Sequence, residues 1–140
     1  MQALLAKGAV ERVLASEVGH GCYSQYFLVP KKHGGLRPIL DLIPLKAFLR
    51  KDKVKMLTLA QVLYALKPGH RVVALDLQGT YFQIPDLWTH MRFLQITVGQ
   101  MHFQFAVLPF GLTNAPQVFT KVMAVVAAQL RRSGVIFFPY

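Results

Sequence analysis

The sequence predicts an α+β fold, and its patterning shows why. Apolar residues recur at helical spacing in the separate stretches 2–17, 59–66 and 119–130. Short apolar runs between them return on themselves around glycine turns, at His33-Gly34-Gly35 and at Gly99-Gln100. The hairpins are not consecutive, so the expected architecture is antiparallel hairpins with packed helices rather than a regular alternation of strand and helix. With 140 residues, 54% of them hydrophobic, the chain suits one ordered domain. A domain of that length buries about two-thirds of its extended surface.

Residues 2–17 carry Glu11, Arg12 and Glu17 among apolar positions, which predicts an amphipathic helix rather than a cleaved signal, ended by Gly19 and Gly21. Tyr23–Val29 predicts a strand that Pro30 closes, and Leu36–Leu42 a returning strand with Pro38 on an edge. Thr58-Leu59-Ala60-Gln61 has the spacing of a capping box, with Leu59, Val62, Leu63 and Leu66 on one face of the helix and Pro68-Gly69 ending it. Val72–Leu77 predicts a short buried strand containing Asp76. Phe93–Val98 and Met101–Val107 predict a hairpin about Gly99-Gln100. Asn114 and Pro116 mark the start of a last helix, with Phe119, Val122, Met123, Val126 and Leu130 at helical spacing. Arg131 and Arg132 complement its C-terminal dipole, Gly134 supplies a left-handed stop, and Val135–Phe138 begins another apolar strand.

Charge is the informative bulk property. Lys and Arg number 16 against 6 Asp and Glu, a formal net charge of +10. Many of the cations, including Lys31, Lys32, Arg37, Lys46, Arg50 and Lys51, fall in the first half. Clustered cations suit a polyanion bound through counterion release, and they also suit a solvated face kept soluble by charge. The single cysteine, Cys22, excludes an internal disulfide and a cysteine zinc site. The scattered histidines lack metal-ligand spacing. No apolar run approaches the roughly 18 residues of a membrane span. No membrane association is therefore expected, and an intracellular location is.

Asp76, inside the run VVALDL, is the sharpest local anomaly. A buried carboxylate is costly unless it is paired, hydrogen-bonded or bound to metal. It can lie at a strand end and accept N–H bonds from the turn Gln78-Gly79-Thr80, or it can ligate a cation.

Three ordered motifs weigh on that choice. Asp76-Leu77-Gln78-Gly79-Thr80-Tyr81-Phe82 resembles the first catalytic motif of reverse transcriptases. Leu108-Pro109-Phe110-Gly111-Leu112-Thr113-Asn114-Ala115-Pro116 resembles the family's nucleotide- and template-facing turn, and Val29–Leu42 its fingers hairpin. The arrangement is most similar to retrotransposons, of the tyrosine-recombinase and gypsy-like groups. The resemblance implies a right-hand polymerase, with residues 1–50 and 84–113 fingers-like and 51–83 and 114–140 belonging to a partial palm.

The resemblance also implies roles. Asp76 and the Leu77 carbonyl would ligate catalytic Mg²⁺, in a family whose two ions, about 3.5–4 Å apart, drive nucleotidyl transfer. Lys32 and Arg37 would contact the incoming dNTP's triphosphate, with a solvated hairpin tip as the plainer alternative. Tyr81 would lie beneath the deoxyribose, or be an ordinary core aromatic; Phe82, facing the other side, would be the core member. Phe110 and Gly111 would floor the new base pair, or form an ordinary turn. Lys31, Lys32, Arg37 and Lys46 would contact nucleic acid, an RNA template and DNA primer, while Asp41 would anchor the hairpin through hydrogen bonds.

The chain also departs from the family pattern. Ile43 and Lys46 stand where the family usually has arginine and asparagine, and Gln78-Gly79-Thr80 where it commonly has Lys-Asp-Ala. Gly134–Tyr140 resembles the lead-in to the Tyr-x-Asp-Asp motif, with Tyr140 as its tyrosine and neither aspartate following. The expectation is a truncated domain, inactive alone. A basic nucleic-acid-binding remnant and a decayed reading frame are the alternatives.

Overall fold

Phe103 and Phe105 alternate with His102 and Gln104, and this period-two pattern organises a sheet with one buried face. The computed structural model describes residues 1–32, 34–50, 58–77 and 79–138. It divides into two units, Met1–Arg50 with Gly79–Ala115, and Lys51–Gln78 with Pro116–Tyr140.

In the first unit, β1 (Val10–Arg12), β4 (Gln95–Val98) and β5 (Met101–Phe105) form an antiparallel sheet in the order β1-β5-β4. The register sets Val10 opposite Phe105, and Ile96 opposite Phe103. These inward residues join Leu40, Leu42 and Leu94 in one buried cluster. β4 and β5 turn at Gly99, whose φ of 61° is the left-handed value that a two-residue hairpin of this kind takes at its first central position.

The opposite face carries a polar row in register. The Gln104 amide donates to Glu11 Oε1 at 2.8 Å, and the Gln95 amide donates to Gln104 Oε1 at 3.3 Å. Gln95 is 1% exposed. It is covered by residues 21–24, where Cys22 N–H donates to the Arg92 carbonyl and Ser24 N–H to that of Gln95, both at 2.8 Å. A Cβ at Gly21 would run into Gln95 Oε1 and the Arg92 carbonyl oxygen.

The helix expected over 2–17 is shorter than its periodicity suggests. α1 covers Gln2–Ala6, β1 follows, and Ala15–Glu17 forms a 3₁₀ turn. Gly8, at φ 64°, ends α1, with Gly8 N–H donating to the Leu5 carbonyl and Ala9 N–H to that of Leu4 at 2.9 Å each. Val10 gains more by pairing with β5 and entering the core than by continuing an exposed helix.

β2 (Tyr26–Pro30) and β3 (Leu36–Leu40) form a separate two-stranded hairpin with Pro38 opposite Leu28, so the proline lies on an edge as expected. α2 (Ile43–Lys46) follows, and α4 (Trp88–Met91) precedes β4.

In the second unit, α3 (Leu59–Ala65) opens with the expected capping box. Thr58 N–H donates to Gln61 Oε1 at 2.9 Å, and Gln61 N–H donates to Thr58 Oγ1 at 3.4 Å. Leu59 and Leu63 of its apolar face are exposed. α5 (Ala115–Arg132) buries Met123 and Ala127, while Val122 and Val126 remain exposed. Gly134, at φ 80°, stops α5, with Gly134 N–H donating to the Arg131 carbonyl and Val135 N–H to that of Leu130, both at 3.0 Å.

The strands expected at Val72–Leu77 and Val135–Phe138 do not form. Val72 is 70% and Val73 79% exposed. A strand exists only with a partner for its N–H and C=O groups, and among the described residues none pairs with either segment. Among the described residues no helix is long and apolar enough to cross a membrane.

Candidate functional site

The β2–β3 hairpin carries most of the residues singled out as cationic contacts. Its loop closes by Lys31 N–H donating to the Gly35 carbonyl at 3.0 Å and Gly34 N–H donating to that of Lys31 at 3.2 Å. Lys31 and Lys32 are exposed there, and Arg37, also exposed, sits on β3 opposite Val29. His33 lies outside the described residues.

The base of the hairpin is pinned on both strands. Asp41 N–H donates to the Gln25 carbonyl at 2.8 Å, and Leu40 N–H to the Phe110 carbonyl at 3.0 Å. Asp41 Oδ1 accepts from Ile43 N–H at 3.0 Å, so its carboxylate organises the start of α2, which presents an exposed Lys46.

The turn Leu108–Gly111 is seated by buried Leu108 and Pro109. Gly111 has φ 106°, and a Cβ there would strike the Leu40 carbonyl oxygen. The turn and β3 thus meet backbone to backbone, a closeness that only glycine permits. Leu108 N–H donates to the Ile84 carbonyl and Asp86 N–H to that of Ala106, both at 2.9 Å, which ties in the segment after the 3₁₀ turn Thr80–Gln83.

These constraints gather side chains from distant parts of the sequence around the Phe110 ring. Tyr81 lies 5.1 Å from it between centroids, tilted by 40°, and Phe82 lies 5.3 Å away, edge-on at 73°. The Arg37 guanidinium carbon stands 5.3 Å from the same centroid. Phe82 therefore does not simply turn away from Tyr81 as expected. The tight 3₁₀ turn fans consecutive side chains, so both rings flank Phe110, while Phe82 also packs on the core cluster.

Of the residues named from the sequence, Arg37, Tyr81, Phe110 and Gly111 come together. Lys31 and Lys32 lie at the hairpin loop, and Lys46 on α2. Asp76 and Leu77 belong to the second unit, exposed in a segment that forms no strand. Gln78 and Tyr140 lie outside the described residues. Sequence reasoning missed Leu40, whose backbone holds the turn; a glycine after Pro-Phe was its sole signal.

Among the described residues, no group of three or more His, Cys, Asp and Glu could hold a metal ion. One carboxylate and one carbonyl do not fit a two-ion centre, so the donors described here do not complete the magnesium site expected at Asp76 and Leu77.

A family model described as reverse transcriptase (RNA-dependent DNA polymerase) matches residues 29–140. The Tf2-3 and Tf2-4 transposon polyproteins of Schizosaccharomyces pombe (strain 972 / ATCC 24843) are each 25% identical over 108 residues, 77% of this chain and 8% of theirs. The chain therefore spans about a twelfth of the curated relatives it matches. The native protease–reverse transcriptase of prototype foamy virus has the same fold at a TM-score of 0.65 and 20% identity, covering 93% of this chain and 16% of that one. A foamy viral protease–reverse transcriptase in complex with dsDNA gives 0.71 at 17% identity, over 92% of this chain and 26% of that one.

Proposed function

Because the chain belongs to the reverse transcriptase (RNA-dependent DNA polymerase) family, we propose that it carries the nucleotide- and template-handling part of such a domain from a retrotransposon polyprotein. In this reading residues 1–50 and 84–113 are fingers-like and residues 51–83 and 114–140 palm-like; the division into two units runs close to these bounds, with 79–83 falling in the first unit. The observation that carries this is the convergence of Arg37, Tyr81, Phe110 and Gly111, from three separate motifs, on one ring cluster.

The side chains then divide the work. Arg37 presents a planar fork suited to phosphate oxygens, and Lys32 a flexible point charge at the hairpin loop. Tyr81 and Phe110 offer flat apolar surface to the sugar and base of a dNTP. Divalent metal is a general requirement of the family. Asp76 and the Leu77 carbonyl are its proposed contributors, and they need further ligands to hold the ions.

The R37Q variant of the 140-residue chain is expected to bind a dNTP roughly ten- to a hundredfold more weakly, the range for losing hydrogen bonds to a charged group. Titration calorimetry measures it. Unchanged affinity in R37Q, or no dNTP binding by the wild-type chain, would remove this assignment of Arg37.

Nucleic-acid binding by the same hairpin and by α2, which follows it, is supported by the exposure of Lys31, Lys32 and Lys46, and by the dsDNA complex of the foamy viral relative. If about five phosphates are neutralised, log K for a DNA duplex falls with log[salt] at a slope near −4.5. Fluorescence anisotropy across a salt series checks this, and a flat response would rule it out.

A further inference from the structure

We infer that Phe110 is a positioning residue for Arg37, holding its guanidinium ready for a polyphosphate, an inference that rests on the phosphate-binding role proposed for Arg37. The guanidinium carbon stands 5.3 Å from the Phe110 centroid, within the range of a cation–π contact. Among the described residues, no carboxylate pairs with Arg37. The aromatic face is thus the partner that orders this exposed, rotamer-rich side chain.

The ring is itself firmly held. Tyr81 and Phe82 flank it, its own carbonyl accepts from Leu40 N–H at 3.0 Å, and the next residue, Gly111, abuts the Leu40 carbonyl. Leu40 lies on the same strand as Arg37. Ring and cation therefore share one rigid frame, and their spacing is set by main chain.

A guanidinium stacked over a ring engages its flat face and would leave its N–H edge for a ligand. A planar fork can stay on the ring while its edge bonds phosphate oxygens in bidentate fashion. Phe110 would thus lower the ordering cost of phosphate capture without competing for the donors. A competitive contact predicts the opposite sign, because removing the ring would then tighten phosphate binding.

The test uses inorganic tripolyphosphate, which has no base or sugar to touch Phe110. Calorimetric titration of the full chain should show F110L binding it about two- to fivefold more weakly than wild type, with F110Y unchanged. In an R37Q background, F110L should add nothing. Equal or tighter binding by F110L would overturn the positioning role while leaving the Arg37 assignment intact. Wild-type affinity in R37Q would instead remove that assignment, and the inference with it. Should F110L fail to fold, NMR of the wild-type chain decides. The Arg37 side-chain protons should be shifted upfield by the ring and remain so at saturating tripolyphosphate. Their return to unshifted positions would overturn the inference.

Discussion

Incubated with an RNA template, a DNA primer, dNTPs and Mg²⁺, the purified 140-residue chain is expected to extend no primer. Nucleotidyl transfer by two ions needs carboxylates that hold both about 3.5–4 Å apart, one to activate the attacking oxygen and one to stabilise the leaving one. Magnesium demands near-octahedral oxygen ligation and, in polymerase sites, takes one or two carboxylates plus substrate phosphates. Asp76 offers one carboxylate, and no cluster of three or more potential ligands occurs among the described residues. Gel-resolved extension of a labelled primer makes the measurement, with D76N as the background control. Mg²⁺-dependent product above the D76N level would defeat this expectation, and with it the view that the ligand set is incomplete.

Replacing Gly111 by alanine is expected to destabilise the chain by about 2–5 kcal/mol, the sum of a left-handed conformation forced on a residue with a Cβ and of overpacking at a fixed neighbour. The neighbour is the carbonyl of buried Leu40, which cannot swing away as the end of a flexible side chain could. Gly34 separates the contributions. Its φ is 86°, but a Cβ there would meet nothing within 4 Å, so Gly34→Ala carries only the conformational cost of about 1–2 kcal/mol. Denaturant unfolding followed by circular dichroism compares them. Equal losses from both variants would mean that the contact between Gly111 and Leu40 is not close enough to matter.

Features encoded within a few residues were legible in the sequence. The capping box at Thr58–Gln61, the turn at Gly99 and the stop at Gly134 each depend on local hydrogen bonds or a local φ, and each occurs where its residues predict it. The stretch 2–17 was misread because helical periodicity does not reveal that Val10 has a strand partner some 95 residues later in Phe105. Val72–Leu77 shows the converse. Its residues are ideal for a buried strand, yet without a partner among the described residues they form none and stay exposed.

The candidate site divides along the same line. Sequence alone determined the family, because three motifs in a fixed order carry that information whatever the chain does in space. It also singled out Arg37, Tyr81, Phe110 and Gly111 as residues to watch. Only the tertiary structure decided that Phe110 lies at their centre, with Tyr81 and Phe82 both against it and Arg37 on its face. The physical reason is the backbone contact between Gly111 and Leu40, which joins residues distant in sequence and leaves little mark on the residues around either one.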